Sequence, residues 1–148
     1  MDEHATGAWL HLRHDTSRET TLYACNERVA FSVADAVESL FTGLQLPPGT
    51  EIRCSGGGTH MPNYLQLLCD TLGQPLTVLP SSDSTAPGAA ILAGVASRTY
   101  AGLQPAVQAL GLTAGESRHP NPERHSALAR RREHRNRLRD EYLSWPLE

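Results

Sequence analysis

The residues with the strongest chemical pattern are Cys54-Ser55-Gly56-Gly57-Gly58-Thr59. Glycines let backbone N–H groups approach a ligand without Cβ interference, and the N-terminus of a following helix favours negative charge. That arrangement can meet a phosphate, and it can equally be a plain tight turn. A Walker-type loop is excluded, because no Lys-Ser/Thr follows the glycines and the chain contains no Lys. His11 and His14 stand three apart, a spacing that on a helix would offer two imidazoles to a metal. No carboxylate or Cys is placed as a third ligand, so a solvated pair and no protein-bound metal are expected. The cysteines, three in number and without scaffold spacing, read as reduced thiols, with Cys54 and Cys69 as small buried hydrophobes. None of Asp15, Asp35, Asp70, Asp83 and Asp140 has a context marking it as a general base. Asp70, behind the glycines, reads as a surface or capping residue.

The elements that would position these residues follow from periodicity. Residues 1–16 are polar and mixed, with Gly7-Ala8-Trp9-Leu10 as their apolar patch. Ser17 is a candidate N-cap with Glu19 in the first turn of a helix. Leu22, Cys25, Val29, Val33, Ala36, Val37, Leu40 and Phe41 recur at steps of three and four, giving one apolar stripe expected to be buried. Gly43 and Pro47-Pro48-Gly49 end that helix. A strand over Thr50–Cys54, a helix over Met61–Leu72 closed by Gly73, and a strand over Gln74–Leu79 form a βαβ unit, which requires parallel strands. A polar loop then leads to a small-residue helix in which Pro87 suits the first helical position. Leu103 to Leu110 makes a short helix ended by Gly111, and Gly115 to Pro122 reads as a loop. Glu123 to Leu143 is a charged helix that includes Arg130-Arg131-Arg132. Interspersed Glu133, Asp140 and Glu141, and no aromatic interleaving, make it a solvated helix rather than a nucleic-acid contact.

Length and composition limit the alternatives. The 148 residues make one domain or a piece of a larger one. With 39% hydrophobic and 5% aromatic residues, large core anchors are few. No apolar run approaches the roughly 20 residues of a spanning helix, and the start Met1-Asp2-Glu3-His4 has no signal-peptide pattern, so a cytoplasmic location is expected. The net charge of -3 argues against a general polyanion binder. All 13 basic residues are Arg, eight of them between Arg118 and Arg139.

Four segments in order carry a family resemblance. Ser55-Gly56-Gly57-Gly58-Thr59, Tyr64-Leu65-Gln66-Leu67-Leu68-Cys69-Asp70 and Ala86-Pro87-Gly88-Ala89-Ala90 resemble motifs of the FGGY carbohydrate kinases. Gly7-Ala8-Trp9 with Glu27-Arg28-Val29-Ala30-Phe31 resembles an upstream motif, and the Arg-rich tail is similar to the ending of xylulokinases. The resemblance spans about residues 7–145. It implies an α/β fold, a partial actin-like (ribonuclease-H-like) ATPase domain with two parallel strands in the βαβ unit, surrounding helices and a charged C-terminal helix. The implied activity is transfer of a phosphoryl group from ATP, with Mg²⁺, to a sugar hydroxyl. Only the last third of such an enzyme is matched. The sugar-binding domain, the aspartate base, the phosphate loops and three antiparallel strands are not.

The resemblance places nucleotide contacts at Gly56, Gly57, Gly58, Thr59, Pro62 and Asn63. Pro62 stands where related glycerol kinases have an Asn that touches the nucleotide, and Asn63 is next to it. Arg28, His60, Met61 and Pro87 are further departures from the family pattern. The implied organisation is a polar segment over 1–16, part of a nucleotide-binding domain over 17–115 and an Arg-rich helix over 116–148. The expected partners are the N-terminal kinase portion or a second copy, with no membrane and no nucleic acid. The alternative is a non-catalytic nucleotide-binding, regulatory or interaction module derived from such a kinase.

Overall fold

A computed structural model of the protein describes residues 8–80, 83–112 and 115–143. Gly7, which enters a motif above, lies outside the described residues.

Helix α1 spans Arg18–Gly43, and the Thr20 N–H donates to Ser17 Oγ at 3.2 Å, which makes Ser17 the N-cap. Strand β1 (Ile52–Cys54) is followed by a 3₁₀ turn (Gly57–His60), helix α2 (Pro62–Leu72) and strand β2 (Leu76–Val78). β1 and β2 are parallel, with Ile52 opposite Leu76 and Cys54 opposite Val78. α2 ends because Gly73 takes φ 67°, in the left-handed region that favours glycine. The ring of His125 packs against the same glycine, where a Cβ would collide with it.

A third strand, β3 (Glu116–Arg118), corrects the expected loop and the expected two-stranded sheet. It pairs antiparallel with β2, giving the order β1-β2-β3. Glu-Ser-Arg has no apolar alternation, so it carries no strand signal of its own. Pairing is made possible by Gly115, since a Cβ there would lie 2.6 Å from the Val78 carbonyl oxygen. Helices α3 (Thr85–Ala96) and α4 (Leu103–Ala109) pack on each other. Asp83 Oδ1 accepts the Thr85 N–H at 2.9 Å and so starts α3 two residues earlier than expected, which makes Pro87 its third residue rather than its first.

The core joins Ala30 and Phe31 of α1, Leu67, Leu68 and Cys69 of α2, Leu76 of β2 and Leu128 of the last helix, α5 (Pro122–Leu143). Each fully buried leucine is worth about 1.5–3 kcal/mol relative to exposure. The stripe expected to line this core does so only in part: Val33 packs against it and Val37 and Phe41 are half-buried. Leu22, Val29 and Leu40 are 54%, 50% and 56% exposed, and Cys25 and Ala36 are exposed as well. The core-facing side of α1 is instead Ala30, Phe31 and Ala34. The helix is apolar on two sides, and periodicity cannot say which of two stripes finds a partner.

α5 is exposed along much of its length, as its charge suggested, but one side of it is packed. It contacts α2, and Arg131, Arg132 and Arg135 are paired with acids of α1. Arg132 reaches Asp35 and Glu38 at 2.6 Å each, and Arg135 reaches Asp35 at 3.2 Å. Arg131 lies 3.0 Å from Glu27, and the Arg135 guanidinium sits 5.6 Å from the centroid of the Phe31 ring. The acids that meet this run are a hundred residues earlier in the chain, so a local charge pattern could not reveal them.

Candidate functional site

β1 delivers the chain to the glycine turn, and α2 carries it away. Gly56 adopts φ 101°, a conformation open to glycine and strained for other residues. The next residues wind into the 3₁₀ turn, with the Thr59 N–H donating to the Gly56 carbonyl at 3.0 Å and Thr59 Oγ1 donating to the same oxygen at 2.7 Å. The Thr59 hydroxyl is thus used in closing the turn, while its lone pairs remain able to accept.

The two following glycines differ from Gly56. Neither Gly57 nor Gly58 has positive φ. A Cβ on Gly57 would meet nothing within 4 Å, and one on Gly58 would make an ordinary 3.5 Å contact with the Tyr64 ring. Folding of this chain does not demand glycine at either position. Pro62 is the first residue of α2 and Asn63 the second, both exposed. The six residues singled out from the sequence therefore form one continuous surface, from the turn through the first turn of α2.

A second element is brought beside this surface by a contact that has no signal in the sequence. Ser55 Oγ donates to Ser84 Oγ at 3.0 Å, and Ser84 is the residue before α3. The glycine turn and the N-terminus of α3 consequently lie together, although 29 residues separate the two serines. A Ser-Thr pair ahead of a small-residue helix is a capping signal, but its partner across the turn has none.

Asp70 corrects an expectation in part. It is not at the surface but fully buried, and it caps another element. Its Oδ1 accepts the Asn121 N–H at 2.8 Å and a Gln66 side-chain N–H at 2.9 Å. Its Oδ2 lies 3.2 Å from Arg124 Nε, and its carbonyl meets His125 Nδ1 at 2.9 Å. Asp70 thus fixes the start of α5 to the C-terminal end of α2, the opposite end of that helix from the glycines. Burial pushes the Cys54 and Cys69 thiols above their ordinary values, which keeps both protonated and unreactive near neutral pH. His11 and His14 are not on a helix. Among the described residues, no three His, Cys, Asp or Glu side chains come together to hold a metal.

Comparison with known proteins bears on this arrangement. The glycerol kinase of Koribacter versatilis is 33% identical over 97 residues, which is 64% of this chain and 19% of that one. The chain thus spans about a fifth of the length of the curated relatives it matches. Among solved structures, the ligand-bound xylulose kinase of Lactobacillus acidophilus superposes with TM-score 0.81 at 19% identity, over 95% of this chain and 28% of its own. The glycerol kinase of Plasmodium falciparum, solved with ADP, gives TM-score 0.68 at 22% identity, over 86% of this chain and 25% of its own. These two likenesses bear on the fold alone: the α/β arrangement of the corresponding part of both structures, with three strands where two were expected. Residues 1–97 match the model of the FGGY family of carbohydrate kinases, C-terminal domain, and the chain belongs to that family.

Proposed function

We propose that this chain is the adenosine-side part of an ATP-dependent, xylulokinase-like sugar kinase, and that it phosphorylates no sugar by itself. The observation that carries the reading is the pair Gly57 and Gly58. Glycine is not needed there for the fold, so its value lies in leaving the turn open to something that approaches it. An adenine nucleotide suits that opening, with backbone N–H groups of the turn and the start of α2 towards the phosphate end. Pro62 offers no N–H donor, so Asn63 is the side chain in place to hydrogen-bond the ligand. ADP in the P. falciparum glycerol kinase structure supports the ligand class. The superposed L. acidophilus xylulose kinase and the character of the Arg-rich tail support a xylulokinase-like parent.

ATP would supply the transferable phosphoryl group, with Mg²⁺ on its phosphates. Phosphoryl transfer depends on positioning and charge neutralisation from several sides of the phosphates. A Lys-free turn and one exposed Asn supply only the binding side. Purified chain incubated with ATP, Mg²⁺ and D-xylulose should therefore form no ADP above the rate without sugar, while calorimetry with ADP should show weak binding. Robust turnover would overturn the inactivity, and no heat at millimolar ADP would overturn the nucleotide site.

A further inference from the structure

α1 packs on α2, and α2 packs on α5. Beyond Leu128, α1 and α5 meet through arginine side chains that reach across to carboxylates. Long side chains bridging two helices leave space beside them. Here that space is a cleft of about 610 Å³, within the roughly 300–1,000 Å³ of small-molecule sites. Its lining is periodic on both helices, with Asp35, Glu38 and Thr42 on α1 facing Arg132, Asn136 and Arg139 on α5 at steps of three and four. None of its lining residues belongs to the glycine turn or to α2.

The charge inside the cleft is balanced, two carboxylates against two guanidinium groups. Both Asp35 oxygens are engaged, Oδ1 by Arg132 and Oδ2 by Arg135, so a cation finds no spare acid there. An anion would meet guanidinium groups already held by acids, beside the C-terminal end of α1, whose last carbonyls are partly negative. What remains is hydrogen-bonding capacity of both kinds. Arg139 turns Nε and Nη2 to Asp140 at 2.9 and 2.7 Å, while its Nη1 lies 3.9 Å from Asp35, beyond hydrogen-bond length. Ser39 Oγ, also in the lining, donates to the Asp35 carbonyl at 2.8 Å and keeps its lone pairs for accepting. Thr42 is exposed and brings a second hydroxyl. Asn136 Oδ1 is shut off from solvent and has no hydrogen-bond partner among the described residues, which costs free energy until a donor reaches it.

The geometry points to a binding site between α1 and α5 for an uncharged polyhydroxylated molecule, a polyol or monosaccharide. Such a ligand carries adjacent hydroxyls, each able to donate and to accept, and a lining of mixed donors and acceptors with no net charge calls for that. One hydroxyl accepts from Arg139 Nη1, and its neighbours donate to Ser39 Oγ and to the Thr42 oxygen. The Asn136 amide, turned about its soft terminal torsion, is satisfied by a hydroxyl in either orientation. The ligand thereby ties the distal half of α5 to the end of α1 with neutral hydrogen bonds, in addition to the ion pairs. The Glu38 side chain in the lining is 69% exposed, so the cleft is open to water and binding is expected in the millimolar range. The site stands apart from the nucleotide reading and does not depend on it.

The test is a titration of the ¹⁵N-labelled chain, read by amide chemical shifts, with xylitol, D-xylose, inorganic phosphate and 1,2-dimethoxyethane as separate probes. Xylitol or D-xylose should give saturable shifts at the Asn136 side-chain amide and at the backbone amides of Ser39 and Thr42, and none at Gly57 or Gly58. 1,2-Dimethoxyethane accepts hydrogen bonds but donates none, and should leave these signals in place. Asn136→Ala should weaken the binding about fivefold, the loss of one hydrogen bond. Thr42→Val should weaken it from an exposed position, so the second variant decides the matter if the first fails to fold. Shifts that stay linear and spread over the whole chain would overturn the proposal, as would equal shifts from 1,2-dimethoxyethane. Saturation by phosphate at lower concentration than by either polyhydroxyl probe would make the cleft an anion site and overturn it too. Wild-type affinity in the folded variants would have the same force.

Discussion

Single residues separate what the glycines do for folding from what they do for a ligand. Gly57→Ala places a methyl in open space at an ordinary φ, so stability should stay level or rise by about 0.4–1 kcal/mol. Nucleotide binding, titrated on the completed kinase, should weaken. Equal nucleotide affinity for the variant would mean that nothing approaches the turn at that point. Gly73→Ala should behave in the opposite sense. It combines φ 67° with a Cβ driven into the His125 ring, so a loss of about 2 kcal/mol in chemical denaturation is expected. The glycine turn was legible in the sequence, because strand, glycines and helix stand in chain order. The burial of Asp70 was not, since its partners Asn121, Arg124 and His125 are more than fifty residues away, and a carboxylate after Leu-Leu-Cys reads as readily exposed as capped.

At the level of elements, α1 and α5 are joined chiefly through charge. Burial alone would raise the Asp35 carboxyl, but the Arg132 hydrogen bond and the charges of Arg132 and Arg135 outweigh it and hold the group below the usual carboxylate range. A depressed folded-state value means that the stabilisation is fully present above the unfolded value, about pH 4, and is lost as pH falls through the folded one. Asp35→Asn should therefore lower stability by about 1–2 kcal/mol at pH 7 and flatten the acid limb of a stability-against-pH profile. An unchanged acid limb would show that the carboxylate does not hold the helices together. Glu27 has the opposite slope, because burial raises its carboxyl against the pull of Arg131. The helices themselves were legible from caps and periodicity, and so was the βαβ unit. β3 was not, because a three-residue strand of Glu, Ser and Arg exists only through its neighbour β2 and the close approach at Gly115.

On the scale of the whole molecule, the hold on α5 is uneven along its length. At its start, the buried Asp70 accepts the Asn121 N–H, and Leu128 is 1% exposed. Beyond Leu128, the helix is fastened largely by guanidinium–carboxylate pairs that are partly open to solvent. Counter-ions weaken solvent-exposed pairs, with a Debye length near 3 Å in molar salt against about 10 Å at 0.1 M. The distal part should then lift while the Asn121 end stays anchored. Amide exchange in the peptide around Arg135 should accelerate in 1 M NaCl and remain unchanged around Leu68; parallel changes at both would show global loosening instead. The chain would thus have two hydrodynamic sizes selected by electrolyte alone: a closed particle in dilute buffer, and in brine the same particle trailing a hinged arm, with a higher frictional ratio at constant mass.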